Sequence, residues 1–172
     1  MSTMTDISIL PVRRDDLPAI MALERAGFAE PEQWSERSWQ GELLGEGRTA
    51  LIARGHHPVG VVVFKTVGEL ADLHRLVVAP DHRRRGVGEA LVRAGLAAVR
   101  HLGARAAILE VDYDNEAAIA LYQRIGFEQL TVRKNYYGPD RDALILKLYD
   151  LAEWPDRTFG VEDGLGGSTR DE

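Results

Sequence analysis

The stretch that decides the fold is Val77-Val78-Ala79-Pro80-Asp81-His82-Arg83-Arg84-Arg85-Gly86-Val87-Gly88. A strand-like run closes at Ala79-Pro80, an arginine-rich turn follows, and an apolar-periodic segment starts at paired glycines. A helix start of this kind exposes unpaired backbone N–H groups and the positive end of the helix dipole. Glycines let a phosphate approach those groups without Cβ atoms in the way, and neighbouring arginines add charge and donors. The turn therefore points to a phosphorylated ligand, foremost a pyrophosphate, against the simpler reading of a solvated arginine cluster on a tight turn. It is not a P-loop, because no Lys followed by Ser or Thr comes after the second glycine. It is not a dinucleotide fingerprint either, since Leu91 stands where a third glycine is needed. Glu110 ends the next strand about where a ribose-binding acid would sit. That reading is set aside because several antiparallel-looking strands precede the turn and three arginines crowd it.

Working outward, Ile7 to Val12 reads as a first strand, and Asp15 as the N-cap of a helix with Pro18 in its first turn, running to about Phe28. Trp34-Ser35 opens a second short helix that ends near Gly45 and Gly47. Residues 49–54 and 58–66 are β-like runs joined by Gly55-His56-His57, a hairpin pattern. Glu69 to Val78 is the strand entering the arginine turn. After it, apolar residues at 87, 91, 92, 96, 99 and 102 mark one helical face, which Gly103 stops. Ala106 to Val111 is nearly continuously apolar, the pattern of a strand buried on both faces. A further helix starts at Asp114 as N-cap, carries the stripe Ala118, Leu121, Tyr122 and Ile125, and ends at Gly126. Residues 127–133 and 143–149 read as closing strands around Gly138-Pro139-Asp140. Strands in hairpins followed by strands around two helices give an α+β or mixed α/β class.

Composition bounds the function. The chain has 172 residues, 45% of them hydrophobic and 28% charged, as in one ordinary globular domain. The net charge of −6 disfavours a dedicated nucleic-acid or anionic-membrane binder. Residues 150–172 account for −5 of it, so the arginine turn sits in a nearly neutral core, expected to span 5–150, with 151–172 as an acidic, Gly-containing tail. The absence of cysteine excludes disulfides, thiolate metal sites and a Cys nucleophile. His56, His57, His74 and His82 form no metal-ligand spacing, so no metal is expected. With neither a signal-peptide pattern nor a membrane-length apolar run, a cytoplasmic protein is the expectation.

The motif R-x-x-G-x-G at Arg83 to Gly88, preceded by V-x-P, resembles the acetyl-CoA-binding signature of the Gcn5-related N-acetyltransferases, the GNAT superfamily. Leu109-Glu110-Val111, Asn115 to Tyr122, Ile125-Gly126-Phe127 and Arg133-Lys134-Asn135-Tyr136-Tyr137 are similar to its ribosomal-protein-alanine N-acetyltransferase branch, RimI. The superfamily likeness spans about residues 6–149, the narrower one mainly 109–137. The resemblance implies a mixed, mostly antiparallel twisted sheet whose two central strands splay apart, flanked by about four helices. It also implies acetyl-CoA as donor. Leu76, Val77 and Val78 would pair their main chain with its pantetheine arm. Arg83, Arg84, Arg85, Gly86, Val87, Gly88 and Glu89 would wrap its pyrophosphate, Asn115 would hydrogen-bond the pantetheine arm, and Tyr122 would also touch the cofactor. Glu110 matches the family's general base and Tyr122 its general acid. Asp72, His74, Asp112, Tyr136 and Tyr137 are expected on the acceptor side.

These assignments agree with the chemistry required. Amide formation needs a neutral amine, and a peptide α-amino group ionises about 2.5 pK units below lysine, worth about 3.4 kcal/mol. A carboxylate desolvated at the end of a buried strand is a competent base, and an O–H donor eases departure of the CoA thiolate. Each residue also has a plainer reading: Glu110 as a structural partner of an arginine, Tyr122 as a core tyrosine, Asn115 as a helix-start residue, Tyr136 and Tyr137 as strand or loop aromatics. Asp112 stands where RimI sequences often carry Arg, and with Asp72 it suggests a preference for cationic acceptors. The expected function is acetylation of a protein N-terminus, such as that of a small-subunit ribosomal protein, by direct transfer in a ternary complex. Acetylation of a small-molecule amine and non-catalytic acyl-CoA binding are the alternatives.

Overall fold

The arginine turn joins a strand to a helix, as the sequence implies, and everything else in the computed structural model is arranged about that joint. The structure describes residues 6–154. Strands β1 (Ser8–Pro11), β2 (Arg48–Arg54), β3 (Pro58–Val67), β4 (Leu70–Val78), β5 (Ala106–Asp112), β6 (Glu128–Gly138) and β7 (Arg141–Leu148) alternate with helices α1 (Leu17–Gly27), α2 (Glu36–Leu44), α3 (Val87–His101) and α4 (Glu116–Ile125). They form one sheet in the order β1-β2-β3-β4-β5-β7-β6. Every neighbouring pair is antiparallel except β4 and β5, which run parallel.

That one parallel pair creates the cleft. β4 and β5 stay in register only from Leu70↔Ala106 to Leu73↔Leu109. Beyond it, Leu76 to Val78 pair with β3 alone and Glu110 to Asp112 with β7 alone. The two strands therefore diverge, leaving main-chain groups on both inner edges without a ladder partner. A register shift between Val63 and Phe64 leaves His74 as an extra residue in β4, a bulge on the strand just as it starts to leave β5.

Apolar faces hold the sheet between two helix layers. Val87, Leu91, Val92, Leu96 and Val99 form the buried stripe of α3 against β2–β4, each contributing about 1.5–3 kcal/mol on burial. Gly95 lets the helix close on the sheet, since a Cβ there would lie 2.3 Å from the Phe64 ring. On the opposite face Ile20, Leu23 and Trp39 from α1 and α2 pack on Ile52, Val61, Val63 and Val77. Glu24, fully buried in this layer, accepts through Oε1 from Trp39 Nε1 (3.0 Å) and Arg75 Nε (3.1 Å), and through Oε2 from Trp34 N (2.9 Å) and from Arg75 Nη2 in an ion pair. The guanidinium of Arg75 lies 3.6 Å from the Phe28 ring centroid. A fully satisfied buried charge pair thus pins α1 to β4.

Several sequence expectations need correction. α1 begins at Leu17 after a short 3-10 turn over Arg14–Asp16, so Asp16 and not Asp15 stands at its start; Asp16 is buried, where Arg13 N donates to it and Arg54 pairs with it. α4 is capped by Asn115 rather than Asp114: its side-chain oxygen accepts from Ala118 N at 3.2 Å. β5 is not buried on both faces; Ala107, Leu109 and Val111 face α3 and α4, while Glu110 is exposed on the other side. β6 runs on to Gly138, five residues past the expected end. The core also passes residue 150, because Leu151 is buried and Trp154 donates its indole N–H to Ile125 O at 3.1 Å. The remainder of the expected tail, 155–172, lies outside the described residues.

Candidate active site

Three segments converge on the split. The first is the donor wall. Ala79 N donates to Val59 O on β3 at 2.8 Å, so by alternation along the strand Leu76 and Val78 turn their main-chain groups away from β3, into the split. Their side chains, with Leu121 and Ala118, line the α3–α4 face. At the strand end, Arg84 and Gly86 adopt left-handed conformations (φ 62° and 82°), turning the chain so that α3 begins at Val87 with no side-chain cap. The first-turn N–H groups of α3 are therefore open. Gly88 brings them close to β4 and α4: a Cβ there would meet Leu121 at 3.3 Å and Val78 at 3.4 Å.

The three arginines divide in role. Arg83 is committed to structure, donating from Nε to Val78 O (3.3 Å) and from Nη2 to Gly27 O (3.1 Å), which ties α1 to the end of β4. Arg84 and Arg85 are exposed and have no hydrogen-bond or ion-pair partner among the described residues. Glu89 offers only its N–H to a ligand, since its carboxylate pairs with Arg93 (3.8 Å) and Arg124 (3.4 Å). Two free guanidiniums beside an uncapped helix start supply the charge and the open N–H donors that an anion such as a diphosphate requires.

The second segment is α4. Tyr122 is buried, edge-on to Phe127 with centroids 5.8 Å apart. Burial, reinforced by the Tyr137 phenol, pushes its pKa well above the usual phenol value. Its hydroxyl has no hydrogen-bond partner among the described residues, so it is held protonated as a free donor at the split. The oxygen of Asn115 is spent on the helix cap, leaving its amide nitrogen for any other partner.

The third is the acceptor wall, where β5 meets the β6–β7 hairpin. Glu110 keeps 31% of its side-chain surface exposed and pairs with Arg133, Oε1 to Nη1, at 3.0 Å. The desolvated carboxylate expected from the sequence is thus replaced by a solvated, ion-paired one. Between Arg133↔Ala143 and Gly138↔Arg141 the hairpin bulges widely, with Asn135 in a left-handed turn (φ 55°) whose N–H donates to Asp142 Oδ1 at 2.9 Å. The bulge presents Tyr136 and Tyr137, rings 5.1 Å apart and edge-to-face. Glu110 raises the pKa of Tyr136; burial, then Glu110, pushes that of Tyr137 up to about 12. Asp112 is engaged by Asp114 N (3.0 Å) and Arg141 (2.7 Å), and in that order these hold its pKa below the usual carboxylate range. Arg141 also binds Glu32 at 3.0 Å, linking the wall to the segment between α1 and α2. The negative charge expected of Asp112 toward an acceptor is therefore already matched by a cation.

Thus Glu110, Tyr122, Tyr136, Tyr137 and Asp112 come together with the ends of β4 and α3. Asp72 and His74 belong to a different cluster. His74 Nδ1 lies 3.1 Å from both Glu42 Oε1 and Arg48 Nη1, and its Nε2 lies 3.6 Å from Asp72. Asp72 pairs opposite Ile108, before the split opens. Among the described residues no three His, Asp or Glu side chains are grouped to hold a metal, and no helix is long and apolar enough to cross a membrane. The sequence placed Arg133 only within the RimI-like run 133–137 that favours a peptide acceptor, and gave no role to Arg141, Glu24 or Arg75. Glu24 left one trace, a charge one residue from Leu23 on the buried side of α1; the bulge at His74 left none.

Comparison with known proteins fits this arrangement. The model of the acetyltransferase (GNAT) family matches residues 9–127. The chain belongs to the GNAT family. It is an N-acetyltransferase by that membership. It is 33% identical over 148 residues to the [ribosomal protein bS18]-alanine N-acetyltransferase of Salmonella typhimurium, covering 84% of this chain and 97% of that one. The crystal structure of the ribosomal-protein-S18-alanine N-acetyltransferase from Escherichia coli superimposes with a TM-score of 0.77 at 30% identity, covering 84% of this chain and 94% of that one. A mycothiol acetyltransferase from Geodermatophilus obscurus is 38% identical over 109 residues, but that match covers 60% of this chain and 33% of the other. The fold expected from the resemblance, a mostly antiparallel sheet split at its centre and flanked by four helices, is the one observed.

Proposed function

We propose that this chain transfers the acetyl group of acetyl-CoA to the α-amino group at the N-terminus of a protein beginning with alanine, of the ribosomal-protein kind, in the cytoplasm. The observation that carries the reading is the juxtaposition across one strand split: a free phenol on one helix, a solvated carboxylate on the facing strand, and between them open main chain leading to two partnerless arginines. In this reading Arg84, Arg85 and the N–H groups of Val87, Gly88 and Glu89 bind the diphosphate. Leu76 and Val78 pair with the pantetheine arm. Glu110, directly or through a water, takes the proton of the acceptor ammonium. The neutral amine then attacks the thioester carbonyl, the C–N bond forms and the C–S bond breaks, Tyr122 gives its proton to the departing thiolate, and the proton the nitrogen sheds on becoming an amide restores the phenol. Tyr136 and Tyr137 flank the entering chain end. An α-amino acceptor suits a base that is only half-buried, because it gives up its proton about 2.5 pK units more readily than lysine.

Near full-length similarity to the alanine N-acetyltransferases supports the acceptor class. The partial similarity to a mycothiol acetyltransferase keeps a small-molecule amine as the second reading. Release of CoA should be followed with peptides beginning Ala, Ser, Gly and Met, with lysine and with spermidine. The proposal expects turnover on the Ala peptide to exceed that on every small amine. Faster turnover on lysine or spermidine would replace it with the second reading.

A further inference from the structure

We infer that Arg133 is a positioning residue for Glu110, holding one carboxylate oxygen so that the other faces the acceptor amine; this rests on the reading of Glu110 as the base. Glu110 sits where β5 has just lost β4 as a neighbour, so no adjacent strand on that side packs against its side chain. A half-exposed glutamate in such a place samples several rotamers unless something fixes it. Among the described residues its one ion pair is with Arg133, at 3.0 Å through Oε1, and the Tyr136 hydroxyl, which Arg133 also meets, is its other side-chain partner.

Arg133 comes from two strands away. It pairs opposite Ala143 on β7, and Ala143 pairs opposite Asp112 on β5, one same-face position beyond Glu110. Two strand spacings are about 9.5 Å, a span that only a long side chain covers. The small, fully buried Ala143 leaves room for the arginine stem to cross. The guanidinium also stands 5.5 Å from the Tyr136 ring centroid, so one cation organises both the carboxylate and an aromatic that flanks it. The other nearby cation, Arg141, is occupied by Asp112 and Glu32. Arginine stays charged at working pH and cannot relay a proton, so its effect on catalysis passes through Glu110. With 56% of its side chain exposed, the pair adds little to stability, which separates its role from a merely structural one.

The test uses the full chain, acetyl-CoA and an Ala-initiated peptide, with Arg133→Met, Arg133→Lys, Glu110→Gln and the Arg133→Met/Glu110→Gln double variant. Arg133→Met should lower kcat about tenfold while the KM for acetyl-CoA and the Tm hold, since small misplacements of a reacting group cost rate rather than binding. Arg133→Lys should recover part of the loss. In the Glu110→Gln background, Arg133→Met should change nothing further. An equal tenfold loss in that background overturns the inference, and so does a loss expressed only in the peptide KM. Full activity of Arg133→Met beside an impaired Glu110→Gln overturns this inference alone. Full activity of Glu110→Gln overturns the base assignment itself and this inference with it.

Discussion

The two sides of the strand split are built on opposite electrostatic plans. On the donor side, Arg84, Arg85 and the first turn of α3 carry positive charge and open donors that nothing in the described chain satisfies. On the acceptor side, Glu110 is matched by Arg133, and Asp112 and Glu32 by Arg141. An open cationic site binds an anion without giving up internal contacts. A self-paired wall admits a ligand only by sharing or displacing what it already holds. Under the proposed function, the contrast makes donor affinity a matter of groups left free, and acceptor turnover a matter of groups held in place.

The largest effect expected breaks the acceptor side alone. Glu110→Gln keeps the shape and removes the proposed base, so kcat should fall about 10²–10⁴-fold with the acetyl-CoA dissociation constant unchanged. Steady-state kinetics paired with calorimetric CoA titration reads both quantities, and weakened CoA binding would show that the two sides are not independent. Next comes the support under that wall. Glu24→Ala strands the buried guanidinium of Arg75 and should cost about 3–5 kcal/mol in chemical denaturation. A loss near 1 kcal/mol would mean the pair is solvated and holds nothing.

How far the sequence could foretell this contrast follows from the range of the interactions involved. The donor side is local: strand end, arginines and glycines lie within twelve consecutive residues, and short-range rules for helix starts suffice to read them. The acceptor side is assembled from β5, β6, β7 and the segment between α1 and α2, so its pairs join residues as far apart as Glu32 and Arg141. No periodicity encodes such a pair. The same reason explains the misreading of β5 as buried on both faces. Its alanine, isoleucine, leucine and valine are apolar throughout, and only tertiary placement decides that α3 and α4 cover one face while Glu110 on the other stays wet. The caps missed by one residue at Asp16 and Asn115 are a different failure, in which two adjacent polar residues competed and the local turn geometry chose.

A smaller effect sharpens the donor side. Arg84→Ala combined with Arg85→Ala should raise the KM for acetyl-CoA about tenfold, more at low salt than at high, and leave kcat intact, because in the proposed reading both guanidiniums meet the diphosphate and neither touches the reacting atoms. A fall in kcat with unchanged KM would place these arginines elsewhere in the cycle.

The smallest effect concerns the His74 cluster, which separates a structural acid–base group from the site. Asp72, then Glu42, raises the His74 pKa above its usual value against the lowering effect of partial burial. A group whose pKa is raised by folding stabilises the native state fully below its unfolded value and loses that stabilisation as pH climbs through the folded one. Stability should therefore decline from pH 6 toward pH 8, by about 0.5–1 kcal/mol for a partly exposed pair of this kind. His74→Gln should flatten that slope relative to the parent chain while leaving the acceptor KM unchanged, because the cluster joins α2, β2 and β4 where the split only begins, and its groups are held by one another. Parallel stability curves for the two proteins would remove the histidine from the account. A raised acceptor KM would move it into the acceptor wall, and with it the boundary between the two sides of the split.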